Sequence, residues 1–255
     1  MSAQPDDGVR RLPDARALRT LAGDDVYVRT SLGGDCSAWW AGPGSALGWV
    51  VPGRRFPGRG HLVVTGDAAD AAALASRVMT DTEVTSMSLP RDVDRLVRPA
   101  VRLHPRNDWE WMYADAAPPV QAREDEVGWL DDGDDGDILA LLTTWSGRHD
   151  TVPGDEGVLG WAGVRAGGRL VAAAAHLEHH PGVPYLASIA TSGEARGQGL
   201  GAAVTAWLTR QLLVPGRELV TLGMYSDNAV ARRMYLRLGY RIDKRWTSGR
   251  LVPPG

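Results

Sequence analysis

Arg196-Gly197-Gln198-Gly199-Leu200-Gly201 lies between a strand-like apolar run, Tyr185 to Thr191, and a helix-like run, Ala202 to Leu213. Glycine reaches backbone angles closed to other residues and lets a ligand approach the main chain. A turn with three glycines at the start of a helix leaves several N–H groups unpaired and aimed the same way. The helix dipole adds partial positive charge at the same place. The natural guest is an anion, most simply a diphosphate, to which Arg196 at the mouth can add a charge-assisted contact.

Three other readings compete for this stretch. A Walker loop requires Gly-Lys-Ser/Thr after its spacer, and no Lys follows here. The dinucleotide fingerprint G-x-G-x-x-A is formally present as Gly197, Gly199 and Ala202. It belongs directly after its strand, whereas Ser192 to Ala195 intervene, and the nearby acid, Glu218, begins the next strand instead of ending it. A glycine turn without any ligand is the third. The residues that follow change the weighing. Glu218 to Met224 alternates Leu219, Val220, Leu222 and Met224 as a buried strand does. Ser226-Asp227-Asn228 is a helix-start cluster, and the helix runs to about Leu238, ending at Gly239. Tyr240 to Trp246 reads as a further strand. Asn228, Ala231, Tyr235 and Leu238 fall at three- and four-residue steps and share one helix face.

These residues resemble the acyl-CoA-binding core of the GNAT superfamily of N-acetyltransferases. That family's loop, Arg/Gln-x-x-Gly-x-Gly/Ala, is met by Arg196, Gly199 and Gly201. Its following helix carries Asn, Ala, Tyr and then Gly-Phe/Tyr, met by Asn228, Ala231, Tyr235 and Gly239-Tyr240. The clear resemblance covers about Tyr185 to Trp246 and extends more weakly back to about Val127. One departure is Thr191-Ser192-Gly193, where the family often has Val-x-Pro.

The resemblance implies an α/β fold of the α+β kind, a mixed, mostly antiparallel sheet flanked by helices. It also implies acetyl-CoA as acyl donor without a metal. The main chain of Arg196, Gly197, Gln198, Gly199, Leu200 and Gly201 would hold the CoA diphosphate. The main chain of Ile189, Ala190 and Thr191 would pair with the pantetheine amides as an added strand does. Asn228 would bond the pantetheine arm or nearby backbone. An acceptor amine would attack the thioester directly, and Tyr235 would protonate the departing thiolate. A phenol and a thiol have pKa values close enough for that transfer. A core aromatic is the other reading of Tyr235. A non-catalytic CoA sensor or interaction module on the same fold is the alternative to an N-acyltransferase. The acceptor is a small-molecule or peptide amine.

A general base is not apparent. His176 and Glu178 share a face of a strand read over Gly168 to Glu178, with His179 and His180 following. Adjacent histidines on a strand point apart, so a solvated strand end is expected there rather than a metal site. His149-Asp150 falls in the loop that lines the acceptor pocket in the resembled family.

The 255 residues suit one large or two modest domains, and a hydrophobic content of 44% suits a sizeable core. A net charge of −3 argues against nucleic acid or an anionic membrane as partner. No run reaches the ~18 apolar residues of a membrane span. Met1 to Asp14 is polar and acidic, unlike a signal peptide. The single cysteine, Cys36, is expected as a core thiol in a reducing cytoplasm. Trp39-Trp40 and the pair Trp109 and Trp111 are expected in cores.

The linker-like composition of Asp115 to Asp125, with Ala-Ala-Pro-Pro, divides the chain into domains over 1–118 and 122–255. In the second, Val127 to Leu130 is a strand and Ile138 to Ser146 a helix. Val158 to Arg165 and Arg169 to Glu178 form a hairpin around Ala166-Gly167-Gly168. In the first, His61 to Thr65, Ala68 to Met79, Glu83 to Leu89, Arg91 to Leu96 and Asp108 to Ala114 repeat the order strand, helix, strand, helix, strand. This half is either a degenerate GNAT-like copy or an unrelated α+β domain. Its turn, Thr65-Gly66-Asp67, places an acid where an anion would sit.

Overall fold

The computed structural model describes residues 8–33, 36–42, 46–53, 56–99 and 101–252. The chain forms two compact units, one of residues 1–110 with 244–255 and one of residues 111–243. The first unit runs β1 (Val9–Leu12), α1 (Ala15–Ala22), α2 (Val26–Ser31), β2 (Ser37–Ala41), β3 (Ala46–Gly53), β4 (Phe56–Gly66), α3 (Ala68–Asp81), β5 (Val84–Pro90), α4 (Arg91–Val97), β6 (Arg102–Leu103) and the start of β7 (Asn107–Ala114). The second follows with β8 (Gly128–Leu130), α5 (Asp135–Trp145), β9 (Val158–Ala166), β10 (Arg169–His180), β11 (Val183–Thr191), α6 (Leu200–Leu212), β12 (Val220–Tyr225), α7 (Ala229–Arg237) and the start of β13 (Arg241–Val252).

The two units repeat one pairing pattern. In the first, β1 to β4 are antiparallel neighbours, and α3 carries the chain across to β5, parallel to β4. In the second, β8 to β11 are antiparallel, and α6 carries the chain to β12, parallel to β11. Parallel neighbours need such a crossover, which a helix supplies. The repeat is longer than its sequence signature: β1, α1, α2, β2 and β3 precede the five elements legible in the first half. The last strand also differs from the expected division at residues 118 and 122. Trp246 to Arg250 of β13 pair with Pro90 to Ser86 of β5, so residues 244–255 belong to the first unit.

The helices cover both faces of the second unit's sheet. Ala172 and Ala174 of β10 face a core built on Leu200, Ala203, Val204 and Leu208 of α6 and on Tyr235, Leu238 and Tyr240. Ala173 and Ala175 face Ile138, Leu141 and Leu142 of α5. Alternation along a strand sends successive side chains to opposite faces, and small residues on both let helices lie close. The phenol of Tyr240 is fully buried and meets Thr209 Oγ1 at 2.7 Å. Thr209→Val leaves that phenol without its partner. The expected cost is about 1–3 kcal/mol of unfolding free energy, read from the urea midpoint.

In the first unit, Ala71, Leu74 and Val78 of α3 pack on Leu62, Val64, Met87 and Leu89. The opposite sheet face is aromatic and polar. Trp246 lies 4.9 Å from Tyr27 and 6.2 Å from Trp109 between ring centroids. Trp39 and Trp111 are buried as expected, whereas Trp40 and Trp109 are half-buried. Cys36, expected as a core thiol, is also only half-buried, because it precedes β2 rather than lying within it. No helix among the described residues is long and apolar enough to cross a membrane.

Candidate active site

β11 and β12 pair only at Tyr185 with Thr221 and at Leu186 with Leu222. Beyond Leu186 the two strands part. On its other edge β11 stays bonded to β10, through Ala187 with Ala175, Ala190 with Ala173 and Thr191 with Ala172. Three steps on β11 oppose two on β10, so β11 carries a bulge at Ser188 and Ile189. Ser188 takes φ 47°, a left-handed angle that costs a non-glycine residue energy. Its hydroxyl holds it there, donating to the Thr151 carbonyl at 2.7 Å and accepting from the Thr151 N–H at 3.2 Å. The edge of Ile189, Ala190 and Thr191 that faces β12 is left open to an added extended chain.

The glycine turn closes one end of this opening. A short 3₁₀ turn over Gly193–Ala195 leads into it, and Gly197 and Gly199 take φ 79° and 81°. Gly199 is the N-cap of α6, and no side chain caps the helix. The helix's first bond runs from Ala203 N–H to the Gly199 carbonyl at 2.9 Å. The N–H groups of Leu200, Gly201 and Ala202 precede that bond and have no carbonyl of the helix to serve them. A Cβ placed on Gly197 or Gly199 would meet nothing within 4 Å, so the space before the turn is open. At Gly201 a Cβ would come within 3.2 Å of Thr191 Oγ1 and 3.6 Å of Met234 Sδ. The absence of a side chain there lets α6, β11 and α7 converge.

The expected side chains take roles that the sequence shows only in part. Arg196 turns onto the end of α5: its Nη2 donates to the Trp145 carbonyl at 3.1 Å, and the guanidinium lies 5.6 Å from the Trp145 ring. Asn228 caps α7, its Oδ1 accepting from Ala231 N–H at 3.0 Å. Its carbonyl oxygen therefore serves adjacent backbone, one of its two expected partners. Tyr235 is 6% exposed and packs against Tyr240 with 5.9 Å between ring centroids. Burial pushes its phenol well above the ordinary phenol range.

The loop after α5 touches both separated strands. Thr151 holds Ser188 of β11, as above. Arg148 lies 4.2 Å over the ring of Tyr225 at the end of β12 and grips Asp227 with two bonds of 2.8 and 3.0 Å. The guanidinium beside it holds the Asp227 carboxyl below the usual carboxylate range. His149 bonds the Ser146 carbonyl through Nδ1 at 2.7 Å. Arg148, Thr151 and Ser188 had no sequence signal; only the long-range geometry reveals them.

The strand end at His176 and Glu178 is a correction. It was expected to be solvated, but His176 is 6% exposed and its Nε2 has no partner. Burial, and then the nearby Arg217 guanidinium, lower its pKa. Glu178 is paired with Arg217. The side chain of His179 lies outside the described residues. Among the described residues no group of three or more His, Cys, Asp or Glu is placed to hold a metal.

The first unit differs from this at the helix terminus and in a longer ladder, which ends at Val63 and leaves Val64 to Gly66 unpaired with β5. β4 and β5 pair from Gly60 with Val84 through Val63 with Ser88. His61 laces them together, its Nδ1 to Ser86 Oγ at 2.8 Å and its Nε2 to Ser88 Oγ at 2.9 Å. Burial lowers its pKa to about 4, so the bridge is a neutral imidazole near neutral pH. At the start of α3 the Asp67 carboxylate accepts from Ala69 N–H at 3.0 Å and Asp70 N–H at 3.4 Å. The helix terminus that could have held an external anion is occupied by the chain's own.

Residues 161–250 match the family model of the FR47-like protein. No curated protein matches the chain. Among solved structures, a GNAT-family protein of Novosphingobium aromaticivorans is 24% identical, with 76% of this chain and 84% of that chain covered and a TM-score of 0.52. A GCN5-related N-acetyltransferase of Kribbella flavida is 21% identical over 95% of this chain and 96% of that one, with a TM-score of 0.52. Another from Sphaerobacter thermophilus is 16% identical over 99% and 98%, with a TM-score of 0.56. At these identities the likeness is one of fold. Over residues 161–250 the chain is thus similar to the FR47-like protein, and it shares the fold of proteins of the GNAT family.

Proposed function

We propose that the chain is an acyl-CoA-dependent N-acyltransferase that moves acetyl from acetyl-CoA to a primary amine by direct attack. The observation that carries this reading is the parting of β11 and β12 beside an uncapped glycine turn. The N–H groups of Leu200, Gly201 and Ala202 suit a diphosphate, whereas those of Arg196 and Gln198, also expected there, donate to the Gly193 and Ala195 carbonyls at 3.4 Å. The open edge of Ile189 to Thr191 suits the two amides of a pantetheine arm. The amine's lone pair attacks the thioester carbonyl carbon; the C–N bond forms, the C–S bond breaks, and the thiolate leaves. Tyr235 supplies the proton to sulfur; the acylated nitrogen releases a proton to solvent, and the phenolate regains one from solvent before the next turnover. Burial that raises the phenol's pKa makes it a weaker acid than a free phenol, so its proton moves to sulfur only as the thiolate's charge develops beside it. The acceptor is a small-molecule or peptide amine, and the single cysteine suits a reducing cytoplasm.

The test is thiol release from acetyl-CoA against a panel of amines. Release that depends on an added amine supports the enzyme. Acetyl-CoA binding without release from any of them favours the non-catalytic CoA sensor instead. A second expectation concerns stoichiometry. With His61 lacing β4 to β5 and Asp67 filling the terminus of α3, calorimetric titration with CoA gives one site per chain. A value of two would show that the first unit also binds.

A further inference from the structure

Two non-glycine residues among those described take left-handed φ angles, Ser188 and Arg123. Ser188 lies in the parted strand. Arg123, at φ 65°, lies in the segment before β8, far from the glycine turn in sequence. Strain of this kind persists where surrounding contacts over-determine it, and it gathers at functional places. The contacts here are specific. The Arg123 guanidinium is gripped by Glu126, Nε to Oε1 at 2.5 Å and Nη2 to Oε2 at 2.8 Å. With its charge thus oriented, Nη1 donates to Gln198 Oε1 at 2.9 Å. Gln198 in turn donates from Nε2 to the Glu194 carbonyl at 3.1 Å. Both ends of the Gln198 side chain are therefore fixed, one to the preceding turn and one to a separate segment.

Gln198 is the residue between Gly197 and Gly199. Glycine loses more conformational freedom on ordering than any other residue. A turn of this composition, left to itself, samples many shapes, and a diphosphate could bind only the fraction with its amides converged. We infer that Arg123 is a positioning residue for this turn. Held by Glu126, it fixes Gln198 and so keeps the amides at Gly197 to Gly201 in their binding arrangement before the ligand arrives. The assignment rests on the reading of this turn as the acyl-CoA diphosphate site. Pre-organisation of this kind raises affinity by removing an ordering cost, without a new contact to the ligand.

The experiment is CoA binding by calorimetry with Arg123→Met, Gln198→Ala and the double variant. Methionine keeps the aliphatic stem and has the same left-handed strain, so only the guanidinium contacts are lost. Arg123→Met is expected to weaken CoA roughly tenfold, the scale of one charge-assisted hydrogen bond. Gln198→Ala, which also loses the bond to the Glu194 carbonyl, is expected to weaken CoA at least as much, and the double variant no more than Gln198→Ala alone, because the Arg123 linkage is already gone in it. Amide exchange at 197–201 speeds up in the free variants and returns to the wild-type rate when CoA is saturating. In turnover, the KM for acetyl-CoA rises and kcat holds. Wild-type-like affinity in Arg123→Met, or single effects that simply add, would overturn the assignment. If the wild type itself binds no CoA, the diphosphate reading of the turn has failed rather than this one.

Discussion

Gly199→Asp abolishes measurable acetyl-CoA binding while the protein remains folded. The position takes φ 81°, is the N-cap of α6, and a Cβ there would meet nothing within 4 Å. Two costs arise. The left-handed angle strains any residue with a side chain by ~1–2 kcal/mol, which lowers Tm by a few degrees. The carboxylate also stands against the diphosphate. At ~4 Å and an effective dielectric of ~20 a like-charge pair is worth ~4 kcal/mol before ionic screening. A net ~3 kcal/mol is over a hundredfold in affinity. Gly199→Asn separates the two costs. Asparagine fits the left-handed region about as well as aspartate and carries no charge, so it loses much less affinity at a similar Tm. Equal affinity in Gly199→Asp and the wild type, with folding intact, would remove the diphosphate from this turn.

The features that decide the glycine turn are local, which is why the sequence displays them. Gly197 and Gly199 sit where the chain needs positive φ, and Gly201 where three elements come within van der Waals contact. The helix face shared by Ala231, Tyr235 and Leu238 repeats at the helical period and is visible without any tertiary contact. Long alternating or apolar runs, such as β10 and β11, read well for the same reason. The first half reads less well. α1 and α2 are short, and β2 and β3 are broken up by glycine, proline and tryptophan, so neither period persists long enough to register. The exchange of β13 into the first unit cannot be read from composition at all. It follows from the register of Trp246 to Arg250 on β5, a pairing across more than half the chain.

The side chains that escaped sequence reading share one property. Arg148 with Asp227, Thr151 with Ser188, and Arg123 with Gln198 each join segments dozens of residues apart. Taken singly, neither partner's side chain announces the contact, even where its backbone was read, as at Gln198 and Asp227. His176 shows the converse. A histidine near a strand end with acidic and basic neighbours reads as solvated, yet the face it takes is set by alternation from Ala172 and Ala174, which point into the α6 core. Periodicity carried two residues further would have buried it.

Tyr235→Phe lowers turnover on a good acceptor by ~100-fold and leaves acetyl-CoA affinity close to that of the wild type. Loss of a general acid is typically worth ~10²–10⁴-fold. The lower end applies if water reaches the sulfur. The ring makes the packing contacts: it lies in the core with Leu238 and Tyr240, and phenylalanine keeps them. The stability of the fold should therefore change little, unlike that of Thr209→Val, where a buried phenol is orphaned. A fall in kcat and kcat/KM together, with unchanged CoA binding, is the signature of an interaction made only in the transition state. The size of the effect also depends on the acyl donor. A thioester whose thiol is more acidic needs less help in leaving, so the gap between Tyr235→Phe and the wild type should narrow with such a donor. If the variant turns over like the wild type and the gap does not respond to the leaving group, Tyr235 is a packing residue, and the proton reaches sulfur from another source.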